Sequence, residues 1–245
     1  MKFRRITSRH IVVGLLSLSL FGCSTLPESP PEVPGTYVPT VTFVPESEGG
    51  ITKYGFSEAQ RMTVRVRNVG CAAVTRGTGF AIDSTTLVTN KHVIEGTNEL
   101  QLSTSDGRDI AVTGAEAASI ADLAIVRTTD ALDAFPVLAT ADPKVDDIVS
   151  IIGYPGGGEL TLTSGTVLEY TDDPLNENLG KVAVADAEVE PGSSGSAVLN
   201  ESGQVVGVVY AKSSSGKTFF IPVSVLRTLL ESPTDFINQG EPTCE

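Results

Sequence analysis

The chain has 245 residues, with 17 Lys and Arg against 30 Asp and Glu and a formal net charge of −13 at pH 7. A surface so acidic is poorly suited to following a phosphate backbone, which cationic side chains grip, so no nucleic-acid partner is expected. With only 2 His and 3 Cys, far apart in the sequence, a dedicated zinc site is not expected, and neither is any other metal or cofactor.

Lys2, Arg4, Arg5 and Arg9 form a basic start, followed by an apolar run from Ile11 to Gly22. That run is too short to span a bilayer core, which takes ~20 residues, but it has the form of a secretory signal. Residues 1–22 are therefore expected to be a signal peptide outside the fold. His10 leaves with them, so His92 is the single histidine of the mature chain. The run ends in Leu20-Phe21-Gly22-Cys23, which resembles the lipobox of bacterial lipoproteins. The resemblance implies acylation of Cys23 and an exported protein anchored in a membrane of the cell envelope. Phe21 is bulkier than the residue usual at its position, and ordinary signal cleavage, giving a soluble protein, is the alternative.

From residue 23 to 57 the chain has no apolar periodicity. Pro27, Pro30, Pro31, Pro34, Pro39 and Pro45 recur through it, which predicts an extended, stiff tether. Ser57-Glu58-Ala59-Gln60 has the form of a capping box, so a helical turn is expected to open the folded domain, residues 58–245. Short β-rich runs follow. The first set is Met62–Val69, Thr78–Ile82, Thr86–Thr89, Leu100–Ser103, Ile110–Thr113 and Leu123–Arg127. The second is Ile148–Ile152, Leu160–Tyr170, Lys181–Ala185, Ala197–Leu199, Val205–Tyr210 and Thr218–Ile221. Frequent strands separated by Gly, Asp and Asn predict an all-β fold. Two groups of six, split near Asp130–Asp142, suggest two six-stranded antiparallel β-barrels. Val223–Leu230 is the one predicted helix of any length, apolar at Val223, Leu226, Leu229 and Leu230.

Three segments carry the chemistry. Leu87-Val88-Thr89-Asn90-Lys91-His92-Val93 follows Gly77-Thr78-Gly79-Phe80; then come Ile120-Ala121-Asp122-Leu123-Ala124-Ile125-Val126 and Glu190-Pro191-Gly192-Ser193-Ser194-Gly195-Ser196. In this order they resemble the trypsin-like, chymotrypsin-fold serine proteases, in particular the bacterial HtrA and MarP-type periplasmic branch. The resemblance runs from about Val64 to Leu230 and includes Gly153-Tyr154-Pro155-Gly156-Gly157-Gly158 and Phe219-Phe220-Ile221-Pro222. It implies a serine endopeptidase acting on proteins or peptides, with His92, Asp122 and Ser194 as the catalytic set.

The residue types suit those roles. A serine hydroxyl is a weak nucleophile until an adjacent base takes its proton, the part assigned to His92. A buried carboxylate, Asp122, would fix the imidazole tautomer, screened from water by its apolar neighbours. The loop Gly192-Ser193-Ser194 would form the oxyanion hole, with the N–H groups of Gly192 and Ser194 as donors. Asp106, Asp109 and Asp130 are rival acids, and Ser193 and Ser196 rival nucleophiles.

Ser196-Ala197 follows Gly195 where the family usually has Gly then Pro, so a Cβ is expected close to the active loop. That departure leaves a degenerate trypsin-fold binding or sensing module as the alternative function, and a structural β-sandwich lipoprotein as a remoter one. Glu188 falls where the floor of the substrate pocket begins and either favours a basic residue before the cut or points to solvent. Val209, Tyr210 and Ala211 would line the pocket wall. Cys71 and Cys244 are an even pair once Cys23 is acylated, and in an exported chain they read as a disulfide; MarP-type relatives carry such a bond. The short run after Leu230 leaves no room for a PDZ domain, so a monomer is expected.

Overall fold

The computed structural model describes residues 57–129, 132–175, 177–178 and 180–239; the expected signal peptide, Cys23, the tether and Cys244 lie outside them. The folded part opens with the predicted capped turn. In α1 (Glu58–Met62) the Ser57 hydroxyl accepts from Gln60 N, and the Gln60 side chain accepts from Ser57 N at 2.8 Å.

The strands follow in two groups. β1 (Thr63–Gly70), β2 (Val74–Ala81) and β3 (Thr86–Thr89) come first, then the short α2 (Lys91–Ile94). β4 (Thr97–Thr104), β5 (Asp109–Ile110), β6 (Val112–Ala118) and β7 (Ala124–Thr128) complete the first group. The second holds β8 (Ile148–Gly153), β9 (Thr161–Asp172), β10 (Lys181–Ala185), β11 (Ala197–Leu199), β12 (Val205–Lys212) and β13 (Thr218–Pro222). Helix α3 (Val223–Glu231) and a last strand, β14 (Phe236–Asn238), end the described chain. β1 shows why these runs are strands. Val64 and Val66 turn inward while Arg65 and Arg67 turn out, the period-two alternation of a half-buried strand.

β8 to β13 form a closed six-stranded barrel in the order β10-β13-β12-β11-β8-β9, as expected for the second half. The first half differs from the expected six-stranded barrel. It is an eight-stranded sheet in the order β14-β6-β7-β3-β2-β1-β4-β5, with no closing pair among the described residues. Two local causes account for the extra strands. The run predicted over Ile110–Thr113 breaks at Ala111 into β5, paired with β4, and β6, paired with β7 through a bulge between Val112 and Gly114. The C-terminal tail then returns as β14 and adds to the β6 edge, Ile237 opposite Ala117. No described helix is long and apolar enough to cross a membrane.

Each sheet has its own core: Val64, Val66, Leu87, Ile94, Leu102 and Val126 in the first, Val149, Ile151, Val167, Val198 and Phe220 in the second. A third cluster joins the two, with Phe80, Val88 and Leu123 from the first half against Ala197, Val208, Tyr210, Leu226 and Leu229. Fully burying side chains such as Phe80 or Leu229 stabilises by roughly 1.5–3 kcal/mol each. This shared core fixes the two halves against each other, and it fixes the loops that meet above it.

Candidate active site

His92 sits in the single turn of α2, directly after β3. Its neighbours Val93 and Ile94 are buried in the first core and anchor the turn. Asn68, buried on β1, donates from Nδ2 to the carbonyls of Val93 and Glu95, both at 3.0 Å, and so holds the far end of that turn. Asn90, which precedes it, donates from Nδ2 to the carbonyl of Asp122 at 2.7 Å.

Asp122 occupies the turn between β6 and β7 and is 3% exposed. Both of its carboxylate oxygens meet His92: Oδ1 accepts from His92 N at 2.9 Å, and Oδ2 lies 2.6 Å from Nδ1. The second contact leaves Nε2 as the free edge of the imidazole. Of the rival acids, Asp106 is bound to Thr104 and Arg108 in an exposed turn, Asp109 is exposed on β5, and Asp130 lies outside the described residues. Burial pushes the His92 pKa down, but the Asp122 hydrogen bond and the charges of Asp122, Glu177 and Glu95 outweigh it, and the net direction is up.

The Ser194 loop comes from the barrel, between β10 and β11. Ser194 is half-buried, and its carbonyl accepts from Thr78 N at 2.7 Å. Gly195 has φ of +85°, and a Cβ on it would run into Thr78 O and Thr89 Oγ1, so only a glycine fits there. Gly192, at φ +100°, has no room for a Cβ either, because Tyr154 O, Gly156 N and Gly157 N stand 2.7–2.9 Å from its place. Gly77 on β2 lies where the histidine turn and the Ser194 loop come close. A Cβ on it would meet the Val93 methyls at 2.6 and 2.7 Å and Ser194 O at 3.2 Å.

The remaining expected site residues fall as follows. Ser193 N donates to Glu190 O at 2.9 Å, so this amide shapes the loop and does not face outward, unlike the donor role open to Gly192 and Ser194. Ser196 is fully buried and its Oγ has no partner. Glu188 is exposed at the surface. Val209 and Tyr210 are buried on β12 with Ala211 half-buried beside them, and the Tyr210 hydroxyl donates to Asp173 Oδ1 at 2.6 Å.

Three residues absent from the sequence reading join the site. Asn178 accepts from Asp122 N through Oδ1 at 2.9 Å. Asp173 binds Asn178 and the backbone around it. Glu177 stands beside the pair, one carboxylate oxygen lying with ligand atoms of His92 and Asp122 within 4.8 Å of one another. Such a trio has the donor set for a cation, but both Asp122 oxygens already face His92. The run Asp172-Asp173-Pro174-Leu175-Asn176-Glu177-Asn178 shows only a polar loop; nothing in it reveals a partner more than fifty residues away.

Known proteins share the fold that carries this site. A profile of the trypsin-like peptidase domain matches residues 77–208. The chain is 30% identical over 172 residues to a probable periplasmic serine endoprotease, DegP-like, from Hahella chejuensis, across 66% of this chain and 36% of that protein. It is 32% identical over 160 residues to the serine protease Rv3671c of Mycobacterium tuberculosis, across 60% of this chain and 39% of that one. The crystal structure of the Rv3671c protease in its active form superposes with a TM-score of 0.67 at 26% identity, covering 76% of this chain and 86% of that one. The chain thus spans well under half the length of these curated relatives.

Proposed function

From the premise that the chain belongs to the trypsin-like peptidase family, we propose that it is a serine endopeptidase in which Ser194, His92 and Asp122 act as one unit. The observation that carries the reading is the double contact of Asp122 with His92, at 2.9 and 2.6 Å. It leaves the imidazole with one nitrogen committed and the other available as a base.

In the proposed reaction His92 Nε2 takes the Ser194 hydroxyl proton as Oγ attacks the scissile carbonyl carbon. The carbonyl oxygen becomes an oxyanion facing the N–H groups of Gly192 and Ser194. His92 then returns the proton to the leaving amine as the C–N bond breaks, giving an acyl-serine. Water, deprotonated by the same nitrogen, adds to the ester carbon and releases the acid and the free hydroxyl. Asp122 stays ionised throughout and stabilises the imidazolium.

Proteins or peptides are the proposed substrates, in keeping with the relatives named serine endoproteases. Export fits the periplasmic relatives and the basic, apolar start of the chain; the proposed anchor is an acyl group on Cys23. A monomer is the proposed state. A Cys71–Cys244 bridge is proposed as well, supported by Cys71 not standing as a free thiol. The first sheet is read as the second barrel of this family, with β4 lying against β6.

The test is labelling with a fluorophosphonate probe, read on a gel. The parent should be labelled and Ser194→Ala should not. A parent that resists the probe while folded would favour a trypsin-fold binding module instead.

A further inference from the structure

Asp122 and His92 belong to the first half of the molecule and Ser194 to the barrel, yet proton transfer between them needs their geometry held within ~0.5 Å. The shared core sets the halves roughly; the finer adjustment needs polar contacts at the site itself. A chain of such contacts runs from the barrel to Asp122. The Tyr210 hydroxyl on β12 donates to Asp173 Oδ1 at 2.6 Å. Asp173 Oδ2 accepts from Asn178 N at 2.8 Å and from Asn178 Nδ2 at 2.9 Å. Asn178 Oδ1 accepts from Asp122 N at 2.9 Å. From there Asp122 reaches both the backbone and the ring of His92.

We infer that Asp173 and Asn178 are positioning residues that clasp the Asp122 turn onto the barrel carrying Ser194, an inference that rests on reading His92, Asp122 and Ser194 as the catalytic set. Two features show that the clasp is built to hold one geometry. The Asn178 amide has a single workable orientation. Its Nδ2 must face the Asp173 carboxylate and its Oδ1 the Asp122 N–H; turned over, oxygen would meet carboxylate and N–H would meet N–H. Asp173 is only 7% exposed and pairs with no cationic side chain among the described residues, but Tyr210, Leu175 N, Glu177 N and both Asn178 donors point at it. Burial alone would raise its pKa; these donors outweigh that and hold it below the ordinary value, so the carboxylate is charged and its donors stay aligned. The contacts to Glu177 N and Leu175 N also fix the backbone that sets Glu177 beside His92. Tyr210, expected on the wall of the substrate pocket, is the far end of the same chain, so substrate wall and catalytic acid share one support.

The experiment compares the full-length parent with Asn178→Ala and Tyr210→Phe by steady-state kinetics, thermal melting and NMR titration of the His92 imidazole. The His92 signal is told from that of His10 with His92→Ala. Around His92 the charged groups are Asp122, Glu177, Glu95 and Lys91, and neither variant removes any of them. Asn178→Ala should lower kcat by about tenfold or more with KM changed less than about threefold, and should move the His92 titration to lower pH as its bond to Asp122 loosens. Tyr210→Phe, which removes one oxygen and decides the matter if Asn178→Ala does not fold, should do the same to a smaller degree. Folded variants with parental kcat and an unmoved titration would overturn the clasp. If the parent itself proves inactive, the catalytic reading fails, but the titration still decides the clasp: a downward shift upholds the docking of Asp122, and no shift refutes it.

Discussion

Ser196 fills the space that Gly153 leaves empty. The two face each other at the paired ends of β11 and β8, next to Ala197 opposite Ile152. A Cβ on Gly153 would run into Ser196 Oγ and stand 2.9 Å from Thr78 Oγ1. The serine that departs from the family pattern therefore does not push the nucleophile loop aside; a glycine across the sheet accommodates it. Gly153→Ala should destabilise by about 1–3 kcal/mol, as overpacked cores do, and Ser196→Gly in the same chain should restore most of the loss. Because Ser196 Oγ is buried without a partner, Ser196→Ala should be neutral or stabilising by up to ~1 kcal/mol. Urea unfolding of the parent, Gly153→Ala, Ser196→Gly and the double variant measures the coupling. Strictly additive effects would mean that the two residues do not share this space.

Loss of the base or the nucleophile is expected to abolish nearly all turnover. Ser194→Ala and His92→Ala should each lower kcat by a factor on the order of 10⁶, and the double variant should lose little more, since the residues act as one unit. Neither side chain is part of a core, so both variants should fold; Ser194→Ala should melt close to the parent, and His92→Ala somewhat lower, because the buried Asp122 Oδ2 loses its partner. Turnover of a quenched fluorescent peptide, with melting followed by circular dichroism, checks both. A His92→Ala protein with near-parental turnover would sink the assignment.

The acid limb of the pH profile should lie above the range of an ordinary histidine. In the proposed reaction His92 must be neutral to accept the Ser194 proton, and burial, acting alone, would lower its pKa. The Asp122 bond and the charges of Asp122, Glu177 and Glu95 outweigh burial and raise it, so kcat/KM should rise with pH through that raised value. Glu177→Gln removes one of these charges and should move the limb to lower pH with little change in the plateau. The sign for stability is the opposite of that for activity. A raised folded-state pKa stabilises fully below the unfolded value near 6.5, and that stabilisation fades as pH climbs through the folded value. A Glu177→Gln profile that coincides with the parent would remove Glu177 from this account.

What could be read from the residues depended on where the information lay. His92 and Asp122 could be singled out because their segments, followed by the Ser194 loop, resemble a known family in order and local setting, and because Asp122 stands alone among apolar neighbours, Ala121 before it and Leu123-Ala124-Ile125-Val126 after it. β1 and β12 announced themselves by alternation and by a continuous apolar run. Asn68, Asp173 and Asn178 did not, because their partners lie 25 to 56 residues away and a polar loop looks alike with or without them. The break at Ala111 and the return of the tail as β14 depend on which edge is left open after the other strands have paired, and that is a property of the assembled sheet. Gly153 likewise gains its meaning only once β8 and β11 lie side by side.

The tail is where the proposed Cys71–Cys244 bridge can be tested. β14 pairs with β6, and Gln239 N donates to Ala115 O at 3.0 Å, so the described chain ends on the first sheet, five residues before Cys244 in sequence. Cys71 is in the β1–β2 turn of that same sheet and does not stand as a free thiol. β14 itself is three residues long, with Ile237 60% exposed, so its own contacts are weak support for a chain end. A bridge closing so long a loop would stabilise by about 4–5 kcal/mol on chain-entropy grounds, an upper figure for any real bond. His92, Asp122 and Ser194 are held by Thr78, Asn68, Asn90 and Asn178, none of which is bonded to β14, and the tail meets the Asp122 turn upstream of β14, where Asp235 O accepts from Ser119 N at 3.0 Å. Reduction, or Cys244→Ser, should therefore lower Tm by several degrees and raise the hydrogen exchange of β14 and the β6 edge, while turnover at low temperature changes less than about twofold. Mass spectrometry of the unreduced exported protein should find the two cysteine peptides linked; both thiols alkylated without prior reduction would refute the bridge.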